Sequence, residues 1–175
     1  ESFFDVFAAP DLSVNCPLQV SMPACSDQNA IDDAFEAWIA GFYYTGGCNT
    51  QVTDLSSLAP PDACTGGTFK VTYTATDDCG QSDWCESFFD VFTAPALIVN
   101  CPGDLSIVAC QDQSFIDTEF YSWLNGFSFT GGCNTQETDL SSLTPPDACT
   151  GGTVNVTYTA TDDCGQSDWC ESFFD

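Results

Sequence analysis

The chain has 175 residues and a formal charge of −25, because 26 Asp and Glu side chains face one base, Lys70, and there is no His. Binding to nucleic acid requires clustered Lys and Arg that neutralise phosphates, so this composition excludes it. Docking on anionic lipid and direct membrane insertion are also not expected, since basic residues and long apolar runs are both missing. No His is present as a general base, and no sequence feature activates a Ser or Thr, so an enzyme is not expected.

The sequence repeats itself without gaps at a spacing of 85 residues, so that Glu1 aligns with Glu86 and Cys16 with Cys101. This period is too long for a solenoid turn and suits a small independent domain. Prolines at the breaks between strand-like runs place the boundaries. The predicted divisions are the closing strand of a preceding, absent repeat at 1–9, repeat 1 at 10–94, and repeat 2 at 95–175 with a truncated closing strand.

Each repeat begins with a predicted edge strand, which covers 11–25 in the first copy. Its apolar residues recur at short intervals, and Pro17 and Pro23 interrupt it. Proline cannot donate to a sheet ladder, so we expect a strand with breaks at the edge of a sheet.

A helix is predicted over 29–42, because apolar residues recur there at helical spacing. Its second copy keeps the apolar stripe while the remaining positions vary, which identifies the stripe as core. The stripe comprises Ile31, Phe35, Trp38, Ile39 and Phe42, with Ile116, Phe120, Trp123, Leu124 and Phe127 in the second copy. The predicted helix caps are Asn29 and Ser114 at the N-termini and Gly41 and Gly126 at the C-termini.

A polar loop follows the helix, and the repeat ends in a predicted β-hairpin. Residues 68–78 alternate strictly, and 84–92 return antiparallel after a turn at "CGQSD". Aromatic residues occupy both faces of the closing strand, so we expect its second face to be partly covered as well.

Six cysteines occur in each repeat, at spacings unlike those of zinc knuckles. Three disulfides per repeat are predicted, which places the protein in an oxidising compartment outside the cytosol, at the cell surface or beyond it. The cysteines are Cys16, Cys25, Cys48, Cys64, Cys79 and Cys85, then Cys101, Cys110, Cys133, Cys149, Cys164 and Cys170.

The run "TYTATDDCG", followed by "WCESFFDVF" and preceded by "VNCP", resembles the HYR-like, immunoglobulin-like repeats of bacterial surface proteins. With the helical insert and six cysteines, the period is similar to the Cys-rich tandem repeats of giant adhesins of gliding Bacteroidota (SprB-like), which are exported by the type IX system. The resemblance implies a mainly β fold of tandem Ig-like sandwich domains, each with one short inserted α-helix. It also implies a structural or adhesive role without catalysis.

The implied sandwich favours one set of disulfide pairs among the 15 that six cysteines allow. If the first strand runs beside the last, Cys16 pairs with Cys85. The same arrangement pairs Cys25 with Cys64 and Cys48 with Cys79. A rival is a hairpin pair between Cys79 and Cys85. The favoured counterparts in repeat 2 are Cys101–Cys170, Cys110–Cys149 and Cys133–Cys164.

Acidic residues around the hairpin turn raise the question of a calcium site. Hard cations bind several carboxylate oxygens, and cations at linkers would stiffen a rod. The plainer interpretation is that Asp caps the turn and that the other acids form a solvated surface. The candidate Ca²⁺ ligands are Asp77, Asp78, Asp83, Asp162, Asp163 and Asp168. No other cofactor is expected.

These observations predict a stalk or filament segment of a secreted, cell-surface tandem-repeat adhesin, stabilised mechanically by disulfides. The expected partners are neighbouring identical repeats in the same chain, and beyond them other filament chains or surface polysaccharide. The alternative is a Ca²⁺- or glycan-binding recognition module in which the repeats bind the target directly. Exposed aromatic residues such as Trp84 and Trp169 are the candidates for glycan contact.

Overall fold

A computed structural model describes residues 2–175. The chain divides into two compact units, Glu1–Thr93 and Ala94–Asp175. This division lies one residue from the predicted end of repeat 1 at 94. Each unit is mainly β with one helix, as expected from the sequence.

The first unit contains six strands and a helix. Their bounds are β1 (Ser13–Asn15), β2 (Val20–Met22), α1 (Gln28–Ile39), β3 (Tyr43–Thr45), β4 (Gln51–Val52), β5 (Gly67–Thr76) and β6 (Ser82–Val91). The second unit has β7 (Ile98–Asn100), α2 (Gln113–Leu124), β8 (Ser128–Thr130), β9 (Gln136–Glu137), β10 (Val154–Thr161) and β11 (Ser167–Phe174). The predicted edge strand over 11–25 is thus two short strands, β1 and β2, separated by a segment that contains Pro17.

The sheets of the first unit are organised around β6. The predicted hairpin is present, with β5 antiparallel to β6 from Gly67 opposite Val91 to Thr76 opposite Ser82. β2 lies on the other side of β6 and runs parallel to it, while β4 pairs with the outer edge of β5. β1 and β3 form a separate antiparallel pair. β3 and β4 lie in the segment that the sequence predicted to be a loop.

The second unit repeats this arrangement with one shorter sheet. β11, β10 and β9 form a three-stranded sheet, and β7 pairs with β8. A parallel bridge between Leu105 and Phe174 takes the place of the β2–β6 ladder.

The helix is capped differently from the prediction. The N-cap is Asp27 rather than Asn29, because Asp27 has an extended backbone and its carboxylate accepts from the backbone N–H of Asn29. In the second unit the N-cap is Asp112 rather than Ser114. The C-caps are Ala40 and Asn125, each followed by the predicted glycine.

Gly41 is required for space rather than for backbone conformation. A Cβ at this position would lie 2.7 Å from the Cβ of Pro17, closer than carbon atoms approach without a shift. The segment between β1 and β2 therefore packs directly on the end of the helix.

The core of each unit lies between the apolar stripe of the helix and the closing strand. Phe35 contacts Phe89 edge-on, with ring centroids 5.2 Å apart, and both side chains are buried. The buried indole of Trp38 donates to the Oγ of Ser87 over 3.0 Å, so its one polar atom is satisfied. The second unit has the same packing around Phe120, Trp123, Phe174 and Ser172.

The outer face of the closing hairpin is partly covered, since Phe88 on this face is half-buried. Trp84 and Phe92 are each 60% exposed. Lys70 forms an ion pair with Glu86, with Nζ 2.7 Å from Oε1, and its ammonium lies 5.9 Å from the ring centre of Phe88.

Residues 2–9 form no strand, although the sequence predicts that 1–9 close another repeat; residue 1 lies outside the described part of the chain. Phe4 is 92% exposed, whereas Phe89, which aligns with it, is fully buried. A strand forms only against a partner, and residues 2–9 have no strand beside them. Their assignment to a preceding repeat stays a prediction.

Replacing Phe35 by Ala is expected to destabilise the first unit by about 3–5 kcal/mol, because it leaves a cavity between the helix and Phe89. Guanidinium unfolding followed by tryptophan fluorescence measures this as a lower midpoint for that unit. The control is Ala37→Ser, on the exposed face of the same helix. An unchanged midpoint for Phe35→Ala would contradict the packing described here.

Candidate functional site: the linker anchor and the disulfides

The segment that enters each unit is fastened to the hairpin turn by a group of four residues, which we call the linker anchor. In the first unit these are Pro10, Gly47, Asp77 and Gln81. The carbonyl of Pro10 accepts from the backbone N–H of Gly47 and from the side-chain amide of Gln81, both over 3.1 Å. The amide oxygen of Gln81 accepts from the backbone N–H of Leu12 over 3.0 Å. Both the oxygen and the nitrogen of the Gln81 side-chain amide are therefore hydrogen-bonded to the linker backbone.

Asp77 holds the anchor together from its centre. One carboxylate oxygen accepts from the backbone N–H groups of Cys79 and Gln81 over 3.0 and 2.8 Å. The other oxygen accepts from the backbone N–H of Cys48 and the side-chain amide of Gln81, both over 3.1 Å. The carboxylate thus ties the hairpin turn to the loop after β3.

These donors change the acidity of Asp77. Burial acts to raise its pKa, but the surrounding backbone and side-chain N–H donors outweigh this effect and lower the pKa. Asp162 in the second unit behaves the same way for the same reasons. Both carboxylates are therefore held in the charged form that accepts hydrogen bonds.

The linker backbone passes very close to the glycine pair of the loop. A Cβ on Gly46 would lie 1.9 Å from the carbonyl oxygen of Asp11, and Gly46 has a φ of +75°. A side chain here is excluded both by space and by backbone conformation. The "TGGCN" run, which contains Gly47 of the anchor, therefore packs directly on the linker backbone.

The predicted calcium ligands lie around this anchor, and in the first unit all three accept hydrogen bonds. Asp83 accepts from the backbone N–H groups of Val14 and Trp84, over 2.8 and 2.9 Å. Asp78 accepts from the amide of Asn49 over 3.0 Å. These two carboxylates therefore accept hydrogen bonds from the entry segment and from the loop after β3.

The second unit reproduces the anchor with the same partners. The carbonyl of Pro95 accepts from Gly132 and Gln166 over 3.1 and 3.0 Å. The matching carboxylate bonds are Cys133 and Gln166 to Asp162, Asn134 to Asp163, and Val99 to Asp168.

A disulfide joins the entry segment to the closing strand in each unit. Cys16 is bonded to Cys85 and Cys101 to Cys170, each pair with Cα atoms 6.0 Å apart and 69 residues apart in sequence. These are the pairs that the implied sandwich favoured. The rival pair Cys79–Cys85 is absent, because Cys85 is already bonded to the entry segment.

The remaining cysteines differ between the two units. Eight of the twelve are disulfide-bonded, including Cys25, Cys64, Cys133 and Cys164. The other four are thiols, so the structure forms fewer than the three disulfides per repeat predicted from the sequence. These thiols are Cys48, Cys79, Cys110 and Cys149.

The thiols of Cys48 and Cys79 are neighbours. Burial raises the pKa of Cys79, and its contacts with Cys48 and with the nearby Asp77 and Asp78 raise it further. A thiolate at Cys79 is therefore disfavoured beside these carboxylates.

One group of residues in the second unit brings possible metal ligands close together. Sulfur and oxygen atoms of Cys133, Asp162 and Cys164 lie within 4.8 Å of one another, but both cysteines are disulfide-bonded and do not offer thiolates. Within residues 2–175 no helix is long and apolar enough to cross a membrane.

Asp77 is the one anchor residue that the sequence predicted as a site residue, whereas Pro10, Gly47 and Gln81 were missed. A signal was present, since "TGGCN" and "DDCGQSD" are identical in the two copies. The Gln81 amide donates to the backbone carbonyl of Pro10, and a sequence does not indicate which backbone carbonyls accept side-chain hydrogen bonds.

No protein-family model matches the chain, and no curated protein matches it either. The linker anchor and the disulfides are therefore interpreted from their geometry.

Replacing Asp77 by Asn is expected to lower the thermal midpoint of the first unit at pH 7, because an amide NH₂ would face N–H donors. The wild-type contribution of Asp77 is present above its unfolded pKa of about 4 and is lost as pH falls through the lower folded value. The variant should therefore show a shallower decline in midpoint below pH 4. Thermal melts between pH 2 and 7 measure this, with exposed Asp33→Asn as control; identical pH profiles for the two variants would contradict it.

Proposed function

We propose that the chain is a structural segment, a stalk or filament, of a secreted tandem-repeat adhesin displayed at the cell surface. The observation that supports this most directly is repetition of the complete unit. Two copies share the fold, the bridge between entry segment and closing strand, and the same linker anchor. An array built from such units would act as a long, mechanically strong structure rather than as a site of chemical reaction.

The disulfides support a location outside the cytosol. Bonds of this kind form and persist in oxidising compartments and are rare where thiols are kept reduced. Eight bonded cysteines in a chain of this size fit an extracellular protein. Display at the cell surface is our further proposal.

The charge supports an extended array. With 26 carboxylates and one base, neighbouring units repel one another and remain soluble. The proposed partners are adjacent repeats of the same chain, together with other filament chains or surface polysaccharide.

Each unit is proposed to be an Ig-like sandwich with three disulfides. In each unit a two-stranded sheet, β1–β3 or β7–β8, is separate from the larger sheet that contains the hairpin. A sandwich needs two such sheets. The helix after β2 or its counterpart is the departure from a plain sandwich.

The third disulfide of the first unit would join Cys48 and Cys79. Their counterparts Cys133 and Cys164 are bonded, and the two pairs have a matching hydrogen bond beside them. Cys48 donates to the Asp77 carboxylate over 3.1 Å, and Cys133 donates to the matching carboxylate over 3.0 Å.

The same comparison applies to Cys110 and Cys149, whose counterparts Cys25 and Cys64 are bonded. Cys25 and Cys110 share a left-handed backbone, with φ of 64° and 69°. Cys110 and Cys149 also line one cavity of about 330 Å³. Each new bond transfers two electrons and two protons from the thiols to a disulfide oxidant such as oxidised glutathione, which is reduced to two thiols.

A second candidate function is direct glycan binding by the repeats. Trp84 and Trp169 are 60% and 61% exposed at equivalent positions, and each is a flat apolar surface beside polar strand residues. A glycan array with Trp84→Ala and Trp169→Ala variants tests it. Calcium titration by calorimetry tests the associated cation proposal.

The intact oxidised chain is expected to weigh about 12 Da less than the reduced chain, since each of six disulfides removes two hydrogens. Mass spectrometry before and after reduction measures this, and peptide mapping assigns the pairs. A difference of about 8 Da, with alkylation at Cys48 and Cys79, would contradict the third disulfide of the first unit.

Cell-surface display is tested in the cells that make the native protein. An antibody raised against the second unit is expected to label intact cells, with gold particles away from the cell boundary in electron micrographs. Labelling only after permeabilisation would contradict the proposal. Cells with the coding sequence deleted serve as the control.

A further inference from the structure

We propose that the Cys16–Cys85 bridge carries tension past the body of the repeat, so that residues 17–84 stay folded while the chain is pulled. This inference rests on the proposed stalk function, because only a stalk is loaded between its linkers. The bridge Cys101–Cys170 has the same role in the second unit.

The entry segment runs beside the closing strand along most of its length. Leu12 donates to Gln81 at the start of the strand, and Val14 donates to Asp83 two residues later. Further along, β2 pairs with β6 in parallel, with Val20 opposite Phe89. Both segments therefore travel in the same direction.

The two linkers consequently leave the unit at opposite ends of β6. Pro10 is held beside Gln81, before β6 begins. Phe92 follows the end of β6 and donates its N–H to the carbonyl of Met22. A pull between the linkers therefore acts along β6.

The bridge lies on this line and offers a short covalent path. Tension enters at Pro10, reaches Cys16, crosses to Cys85 and leaves along the second half of β6. The residues between the two cysteines lie on a closed loop that bears none of this load. That loop contains α1, β2, β3, β4, β5 and the linker-anchor residues Gly47, Asp77 and Gln81.

The bypassed length is large compared with the loaded length. The bridge spans 69 residues of sequence, which would extend to about 240 Å if released. The loaded path comprises only about 14 residues, or roughly 50 Å when taut. An oxidised repeat is therefore nearly inextensible.

Without the bridge the load would fall on hydrogen bonds. The β2–β6 ladder and the bonds of Leu12 and Val14 would be stretched in parallel, along the strand direction, and would have to break together. Once broken, they would release chain as far as the next disulfide. Cys25 and Cys64 are both disulfide-bonded, and their pairing with each other, which the sequence favoured, leaves about 30 further residues, or about 100 Å, to extend.

Single-molecule stretching of the chain between handles at its two ends tests this inference. The variant carries Cys16→Ser and Cys85→Ser in the first unit, while the unchanged second unit is an internal reference. It is expected to give one extra extension step of about 100 Å. The matched control, Cys25→Ser with Cys64→Ser, removes a disulfide inside the bypassed loop and is expected to extend no further than the wild type.

The wild-type chain keeps the test decisive if the variant folds poorly. Under oxidising conditions it should show no long step, and with dithiothreitol each unit should release about 240 Å. Steps of that length from the oxidised wild type, or equal extension of variant and control, would overturn the inference. These outcomes are independent of antibody labelling, so failure of the force inference and failure of surface display are distinguishable.

Discussion

The parallel course of the entry segment and the closing strand is the constraint on which each unit depends. The strand β6 is the common partner of β5, of β2 and of the helix. On its buried side, Phe89 contacts Phe35, and Ser87 accepts a hydrogen bond from Trp38. The Cys16–Cys85 disulfide then fixes the register of β6 against the entry segment. The sheet, the helix and the linker are therefore all positioned relative to this strand.

This bond also compensates for the small size of the core. A unit of this length buries too little apolar surface for a large margin of stability. Closing a loop as long as the one between Cys16 and Cys85 removes unfolded-state entropy worth about 4 kcal/mol in the chain-entropy description. The bridge thus supplies a large part of what a bigger core would otherwise contribute.

Elements with periodic apolar patterns were predictable from the sequence, and elements defined by their partners were not. The α1 stripe and the β5–β6 hairpin follow from spacing alone, because burial selects the same positions in both copies. β3 and β4 are only three and two residues long, and they are strands because β1 and β5 lie beside them. The helix N-cap is Asp27 rather than the predicted Asn29, because several neighbouring polar residues have the same capping preference and local geometry decides among them.

The acidic turn shows the same limit for the site. Composition alone allows either a cation or a turn for Asp77, Asp78 and Asp83. The structure places N–H donors of the loop and entry segment at these carboxylates. Those donors belong to residues far away in sequence, so no local sequence pattern predicts them.

The Lys70–Glu86 pair leaves every other carboxylate in residues 2–175 without a lysine or arginine partner, since the chain has one base. Added salt therefore has almost no attraction to weaken, while it screens repulsion among the acids over a Debye length of about 8 Å at 0.15 M. The hydrogen bonds that hold the anchor run from N–H groups to the Asp77 carboxylate and the Pro10 carbonyl at close range, where screening is weak. Rising salinity should thus weaken the repulsion among the acids while it leaves the anchor bonds largely unchanged.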